Sequence, residues 1–335
     1  MSELVVPEGY KSVLSVYETQ IAIGTIKRIF EEYLSRALNI KRASAPLFVG
    51  SETGLNDNLS GHERPVEFDI KETGTYAQIV HSLAKWKRLA LHQYGFHLGE
   101  GLYTDMNAVR REEEMDNLHS IYVDQWDWEK IIDRETRNEK TLRDTVTAIA
   151  GAICDAAEKI KEMFPAISVS FDRNVSFITS QELEDKYPNL TPKERENAYV
   201  KENKTAFIMQ IGGVLKSGQK HDGRAPDYDD WQLNGDIFMW SDVLDCAVEL
   251  SSMGIRVDEK SLDEQLTKAS CNDRRTLPFH KMLLAGELPL TMGGGIGQSR
   301  VCMLLLQKAH VGEVQVSVWD DQTIAGCKAA GIVLL

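Results

Sequence analysis

The chain has 335 residues, 42% of them hydrophobic, which is ample for a packed core. Its 51 acidic against 38 basic residues give a formal charge of −13, which disfavours nucleic acid as a partner, because neutralising phosphate supplies most of that affinity. Five widely spaced cysteines with no CxxC pair exclude a disulfide framework and a structural zinc site, and the absence of a signal pattern or of an apolar run near eighteen residues predicts a soluble, cytoplasmic protein with no membrane contact.

Apolar residues at helical spacing from Tyr17 to Leu38 (Ile23, Ile26, Phe30, Tyr33, Leu34, Leu38) predict a long amphipathic helix. An extended segment over 43–49 and a polar, turn-rich stretch through Pro65 follow, with Asp57 on a mobile-looking loop in the latter. VEFDI (66–70) and YAQIVHS (76–82) read as a hairpin. LAKWKRLALHQYG reads as a basic helix closed by Gly95, with Lys85, Lys87 and Arg88 on a positive face. Two strands, Tyr103 to Arg110 going out and His119 to Trp128 returning, flank an irregular charged loop. Polar residues on both faces of the return strand, Gln125 and Asp127 on one and Ser120 and Asp124 on the other, predict that it lines a pocket. A structural helix over Thr141–Met163, a strand at 175–179, helices at 180–187 and 192–203, and a buried strand over 205–213 come next.

The greatest density of charge lies between Asp222 and Arg256. Asp222, Asp227, Asp229, Asp230 and Asp236 crowd around Arg224 in what reads as an acidic loop reaching the turn pair Asn234-Gly235. Two short apolar strands follow. Glu249 sits at the end of the second, where a buried carboxylate requires a cation, a metal or a proton. After two short helices near 260–270 and 277–286, Gly293, Gly294, Gly295 and Gly297 predict a close-approach turn into a helix that begins at Gln298. Arg300 in its first turn suits a phosphate. VQVSVW (314–319) predicts a final strand. Without repeats or low-complexity linkers, the expected fold is α+β, one catalytic domain over 1–335 with its core at about 15–320, having a mostly antiparallel central sheet flanked by helices.

The segments LNDNLSG (55–61), VHSLAKWKR (80–88), GEGLYT (99–104), HSIYVDQWDWE (119–129), RAPDYDDW (224–231), LNGDI (233–237), ELSSMGIRVD (249–258) and GGGIGQSR (293–300) together resemble the ammonia-dependent asparagine synthetases. The catalytic fold of that family is similar to that of class II aminoacyl-tRNA synthetases. The stretch from Arg110 to Glu129, the series Glu249, Ser252, Arg256, and the glycine run ending in Arg300 also resemble the class II motifs. The chain departs from tRNA-charging synthetases in lacking length or basic charge for an anticodon-binding domain, and its loop REEEMDN departs from their Arg-x-Glu pattern. It departs from the glutamine-dependent synthetases in having Ser2 where they begin with cysteine.

The resemblance implies an ATP-dependent ligase that amidates aspartate with ammonia through a β-aspartyl-adenylate, releasing AMP and pyrophosphate. On that reading Arg110 and Arg300 grip the triphosphate, since a guanidinium fork matches phosphate oxygens. Mg²⁺ bridges phosphate oxygens through Asp236, Glu249 and Ser252, with turn capping as the alternative for Asp236. Lys87 and Arg224 are candidates for the α-carboxylate of aspartate, and Asp127 and Asp229 for its α-ammonium, with the order inside each pair open. Ser82 and Gln125 complete the lining, Gln125 alternatively facing the adenylate, and His119 contacts the nucleotide. Asp57 is the candidate to hold ammonium and take its proton. The competing readings are a stand-alone class II synthetase-like enzyme that adenylates aspartate for another acceptor, and an amino-acid-sensing paralogue. The resemblance also implies a homodimer, with the N-terminal helix at its interface.

Overall fold

A computed structural model describes residues 4–59 and 63–335. Ser60 and Gly61, the end of the LNDNLSG segment, lie outside the described residues. Helix α1 (Val16–Leu38) begins at a capping box in which Ser15 and Glu18 satisfy each other's backbone N–H groups, and it ends at Asn39 in the left-handed conformation. Its stripe of Ala22, Ile26, Phe30, Leu34 and Leu38 is buried against helix α3 (Glu139–Met163) and one face of a large sheet. Trp126 and Trp128 face this core, with Phe30 packed 4.5 Å from Trp126.

In chain order the strands are β1 (Ile40–Arg42), β2 (Phe48–Gly50), β3 (Glu67–Ile70), β4 (Thr75–Ile79), β5 (Gly101–Val109), β6 (Tyr122–Ile131), β7 (Ser176–Thr179), β8 (Thr205–Met209), β9 (Asp229–Ser241), β10 (Cys246–Arg256) and β11 (Thr291–Gly297). The large sheet has the order β1-β5-β6-β11-β10-β9-β8-β7, and β2-β4-β3 forms a small second sheet. The inner pairings are antiparallel, but β1 runs parallel to β5 and β7 parallel to β8. The expected mostly antiparallel sheet is therefore corrected to a mixed one. Both edge strands reach their neighbours through crossovers that contain helices, α2 (Ala84–Gln93) in one case and α4 (Ser180–Lys186) with α5 (Pro192–Asn203) in the other, and such crossovers produce parallel pairs.

Other expectations also change. The glycine run is strand β11 between β6 and β10, not a turn, and the supposed acidic loop becomes strand from Asp229 onward. Residues 314–319 pair with no strand and leave Val316 and Val318 exposed. The helices that complete the chain are α6 (Glu259–Lys268), α7 (Pro278–Leu284), α8 (Gln298–Leu305) and α9 (Asp321–Ala329), the last not anticipated and capped by Asp320. Lys85, Lys87 and Arg88 form no positive face, because all three side chains are buried.

Candidate active site

A cavity of about 370 Å³ opens on the sheet face opposite α1 and α3. Strand alternation puts Gln125, Asp127 and Glu129 of β6 on this side, and Ser252 and Arg256 of β10 reach it from across β11. The glycines of β11 are what leave room between them. A Cβ on Gly293 would lie 2.0 Å from Glu129 Oε2, and one on Gly295 would lie 2.2 Å from Gln125 Oε1. The floor is thus bare backbone between two charged walls, and flat or phosphorylated ligands can approach it closely.

An unbroken series of ionic contacts crosses this face. Lys87 Nζ pairs with Asp127, donates to Trp128 O at 2.7 Å and lies 3.6 Å from Glu129. Arg256 forks onto Glu129 at 2.8 and 3.0 Å and turns its other nitrogen to Asp229. Arg224 bonds Ser252 Oγ and donates to Asp236 at 2.6 Å, with Asp229 at 4.0 Å. Burial alone would push the Glu129 carboxyl up, yet Arg256 and Lys87 hold it below the ordinary range. Fixed charges of both signs are therefore held in direct contact along this face. Lys87 itself is wholly buried and pairs with Asp127 from behind the cavity lining.

At the other end, Arg300 donates to Glu249 O at 3.0 Å and to Leu118 O at 3.3 Å, and its guanidinium stands 3.7 Å from the Glu249 carboxylate. Arg110 reaches His81 O at 3.4 Å and lies 3.8 Å from Glu113. His119 lines the same wall, fixed by Asp116 at 2.8 Å. Asp236 and Glu249 are neighbouring carboxyls with opposite shifts. Burial raises Asp236 against the pull of Arg224, and Glu249 raises it further. Glu249 is held low, against its own desolvation, by Arg300 and Arg224. Asp236 sits behind the wall, while Ser82, Arg110, His119, Gln125, Asp127, Arg224, Asp229, Glu249, Ser252 and Arg300 line the cavity.

Asp57 is not at the cavity surface and not on an exposed loop. It is 1% exposed, accepts Ser82 Oγ–H and Ala84 N–H at 2.6 Å each, and so caps the start of α2 from a distance in sequence. From this pair Ser82 lines the cavity, and Asp57 stands directly behind it. Behind Asp57 lies a cluster that sequence reasoning missed. Lys85 stands 3.9 Å from Asp57 and 3.6 Å from Asp227, which also takes Arg274 and His280 at 2.9 Å each. Asp230, likewise unassigned from sequence, pairs with Arg137 at 2.5 Å. On the wall, Arg256, Asp124 and Ser299 were also missed as site residues. Asp124 accepts Ser299 N–H and Oγ–H at the start of α8 and pairs with Lys27 at 3.1 Å. The visible signal was the polar alternation of β6. Tyr228 lines the cavity, while Trp231 is buried outside it.

Comparison with known proteins places this geometry. The family model for aspartate–ammonia ligase matches residues 17–331. An aspartate–ammonia ligase of Clostridium perfringens is 59% identical over the full length of both chains. That of Bacillus cytotoxicus is 58% identical, covering 97% of this chain and 99% of its own. Among solved structures, asparaginyl-tRNA synthetase from Pyrococcus horikoshii, complexed with asparaginyl-adenylate, superposes with a TM-score of 0.68 at 13% identity, covering 90% of this chain and 68% of that longer one. Aspartyl-tRNA synthetase from Entamoeba histolytica gives 0.59 at 15% identity, covering 92% and 58%. At such identities these two likenesses establish the fold, that of class II synthetase catalytic domains.

Proposed function

The chain belongs to the aspartate–ammonia ligase family, an enzyme family that makes asparagine from aspartate and ammonia, and on that premise we propose how its cavity divides the work with ATP. The aspartate end is the buried face of both charge signs. Asp127 and Asp229 attract the α-ammonium, and Arg224 and Arg256 the carboxylates. Lys87 and Glu129 hold Asp127 and Arg256 in place. The nucleotide end is the mouth formed by Arg110, His119, Glu249 and Arg300, with Gln125 and the glycine backbone where the two meet. The observation that carries this reading is one cavity lined by charges of both signs along the glycine backbone of β11.

The chemistry is acyl activation followed by amide formation. A β-carboxylate oxygen of aspartate attacks the α-phosphorus of ATP and pyrophosphate leaves. Ammonia then adds to the acyl carbon, AMP leaves with the bond electrons, and a proton is released. Arg110 and Arg300 counter the charge that builds on the phosphate oxygens, and the fixed aspartate pocket supplies orientation. Ser82 donates its only proton to Asp57, so it offers the cavity lone pairs alone and can accept from ammonia or from the substrate ammonium. Asp57 acts through Ser82 as a positioning residue.

Glu249 and Ser252, which line the cavity, would hold a magnesium ion that arrives with the nucleotide, and Asp236, opposite Ser252 in the β9–β10 pairing, adds negative charge behind them. Burial and the Glu249 charge both raise Asp236, a repulsion a divalent cation would relieve. Among the described residues no group of three His, Cys, Asp or Glu side chains could hold a metal alone, which matches an ion whose shell comes mainly from phosphate and water. When bound, the ion would neutralise phosphate charge. We further propose a single catalytic unit in the cytoplasm, without nucleic acid as partner, that pairs as a homodimer through the outer face of α1, where Val16, Tyr17 and Ile21 are exposed. Light scattering after size exclusion tests the dimer. The reaction is tested by incubating the protein with aspartate, ATP, Mg²⁺ and ammonium: AMP and pyrophosphate are expected, and formation of ADP and phosphate would overturn the assignment.

A further inference from the structure

The catalytic reading makes no use of residues 4–14, yet this segment is tied to the cavity wall at buried points. Asn117, 4% exposed, lies in the loop between β5 and β6. Its side-chain carbonyl accepts Val5 N–H at 2.9 Å, and its amide donates to Val5 O and Ala309 O at 2.8 Å each. Its main-chain carbonyl accepts Val311 N–H at 2.8 Å. Leu118, the next residue, supplies the carbonyl that holds Arg300 Nε, and Leu118, His119 and Val311 all line the cavity. The segment is anchored again farther on. Tyr10 donates to Glu313 at 2.9 Å, and Lys308 donates to Ser12 at 2.6 Å. Leu4 and Tyr10 pack beside Ala309, Cys327 and Ile332.

We propose that residues 4–14 are a strap that, through Asn117, positions the nucleotide wall of the cavity, making Asn117 a positioning residue for ATP. This rests on assigning the Arg300 end to the nucleotide. The loop from 110 to 121 has no strand partner of its own along most of its length, so its conformation is set by such ties. Asn117 gathers three of them at one buried amide, using both N–H donors and one lone pair of its carbonyl oxygen on backbone groups. Loosening them frees the Leu118 carbonyl and His119, and Arg300 loses an acceptor that fixes its fork. The aspartate end is built on β6, β9 and β10 and does not share these ties.

Two variants separate this from a general loss of structure. Val5→Pro removes the N–H that Asn117 accepts at a residue whose side chain is 49% exposed. Asn117→Asp keeps the acceptor but turns a carboxylate toward the carbonyls of Val5 and Ala309. Each is expected to raise KM for ATP roughly tenfold, the effect of loosening one or two hydrogen bonds, while KM for aspartate stays within about twofold. The double variant should be no worse than the worse single one, because both act on one tie. Equal changes for both substrates, no change for ATP, or fully additive losses would overturn the strap. If Asn117→Asp does not fold, Val5→Pro decides alone. Arg300→Ala run in parallel isolates the premise: if it leaves KM for ATP unaltered, the nucleotide assignment fails and the strap with it. If Arg300→Ala weakens ATP and the strap variants do not, only the strap fails.

Discussion

Gly293→Ala tests whether the cavity floor must be bare backbone. The added methyl would lie 2.0 Å from Glu129 Oε2, 2.6 Å from Arg256 Nη2 and 2.6 Å from Trp128 O. Gly293 pairs directly with Glu129 across β6 and β11, so the carboxylate can yield only by abandoning Arg256, and the Trp128 carbonyl only by parting the strands. Overpacking of this kind costs about 1–3 kcal/mol, and disrupting a buried ion pair about 3–5 kcal/mol. Because one displacement causes both, a total near 3–5 kcal/mol is expected, or a Tm lower by roughly 10 °C. Gly151→Ala in α3 is the control. A methyl there meets nothing within 4 Å, and the helix should gain about 0.5–1 kcal/mol. Urea unfolding of both variants gives the stabilities, and aspartate-dependent ATP–pyrophosphate exchange gives the first half-reaction, which Gly293→Ala should largely abolish. A Gly293→Ala protein with unaltered midpoint and exchange would refute the reasoning.

Arg300→Ala should lower pyrophosphate exchange by about 10²-fold or more, with Arg300→Lys recovering only part, since an ammonium cannot reproduce the fork. Unaltered exchange in the alanine variant would remove Arg300 from the phosphate site. Asp57→Ala strands Ser82 Oγ–H and Ala84 N–H at a loss of about 1–3 kcal/mol in stability, and Asp57→Asn, which keeps an acceptor, should lose less. If Asp57 acts by positioning, the alanine variant loses exchange and asparagine synthesis in proportion; selective loss of synthesis would give it a direct part with ammonia. For Asp227, burial favours the neutral acid, but Lys85, His280 and Arg274 hold the carboxyl far below the usual carboxylate range. A depressed folded pKa contributes stability that is present above the unfolded value and lost as pH falls. Asp227→Asn should therefore destabilise by about 3–5 kcal/mol at pH 7, with the difference from wild type shrinking below about pH 4. Urea midpoints measured across that range check it, and a difference independent of pH would refute the ionic account.

Helices were legible where local chemistry decides them. α1 and α5 open with the capping boxes Ser15/Glu18 and Thr191/Glu194, and α3 opens with Asn138. The apolar period of α1 named its buried face correctly. Strand β11 was illegible for the converse reason. Three consecutive glycines carry no alternation, so nothing local distinguishes a strand from a turn; its pairing with β6 and β10 decides, and those partners lie far away in sequence. The parallel edges of the sheet were hidden likewise, since direction depends on where each crossover returns the chain.

The site shows the same limit from the side of charge. A local rule sends Lys85, Lys87 and Arg88 to the surface and turns an aspartate-rich stretch into a solvated loop. Several members have their neutralising partner distant in the chain, whereas Arg224 meets the nearby Asp236 and Arg88 rests on the carbonyls of Pro289 and Val257. Lys87 meets Asp127, and Arg256 meets Glu129 127 residues away. Asp227 meets Arg274 and His280. Burying an uncompensated charge is costly, so the aspartates of β9 enter the sheet with cations beside them, Asp229 with Arg256, Asp230 with Arg137 and Asp236 with Arg224. Family likeness could gather the residues that line the cavity without revealing this. Burial sets Asp57 and Lys87 behind the residues that line the cavity, Asp57 on Ser82 and Lys87 on Asp127. On the proposed division of labour, residues behind the wall fix geometry and those on it meet substrate, so mutations in the two groups should differ in how stability and turnover fall together.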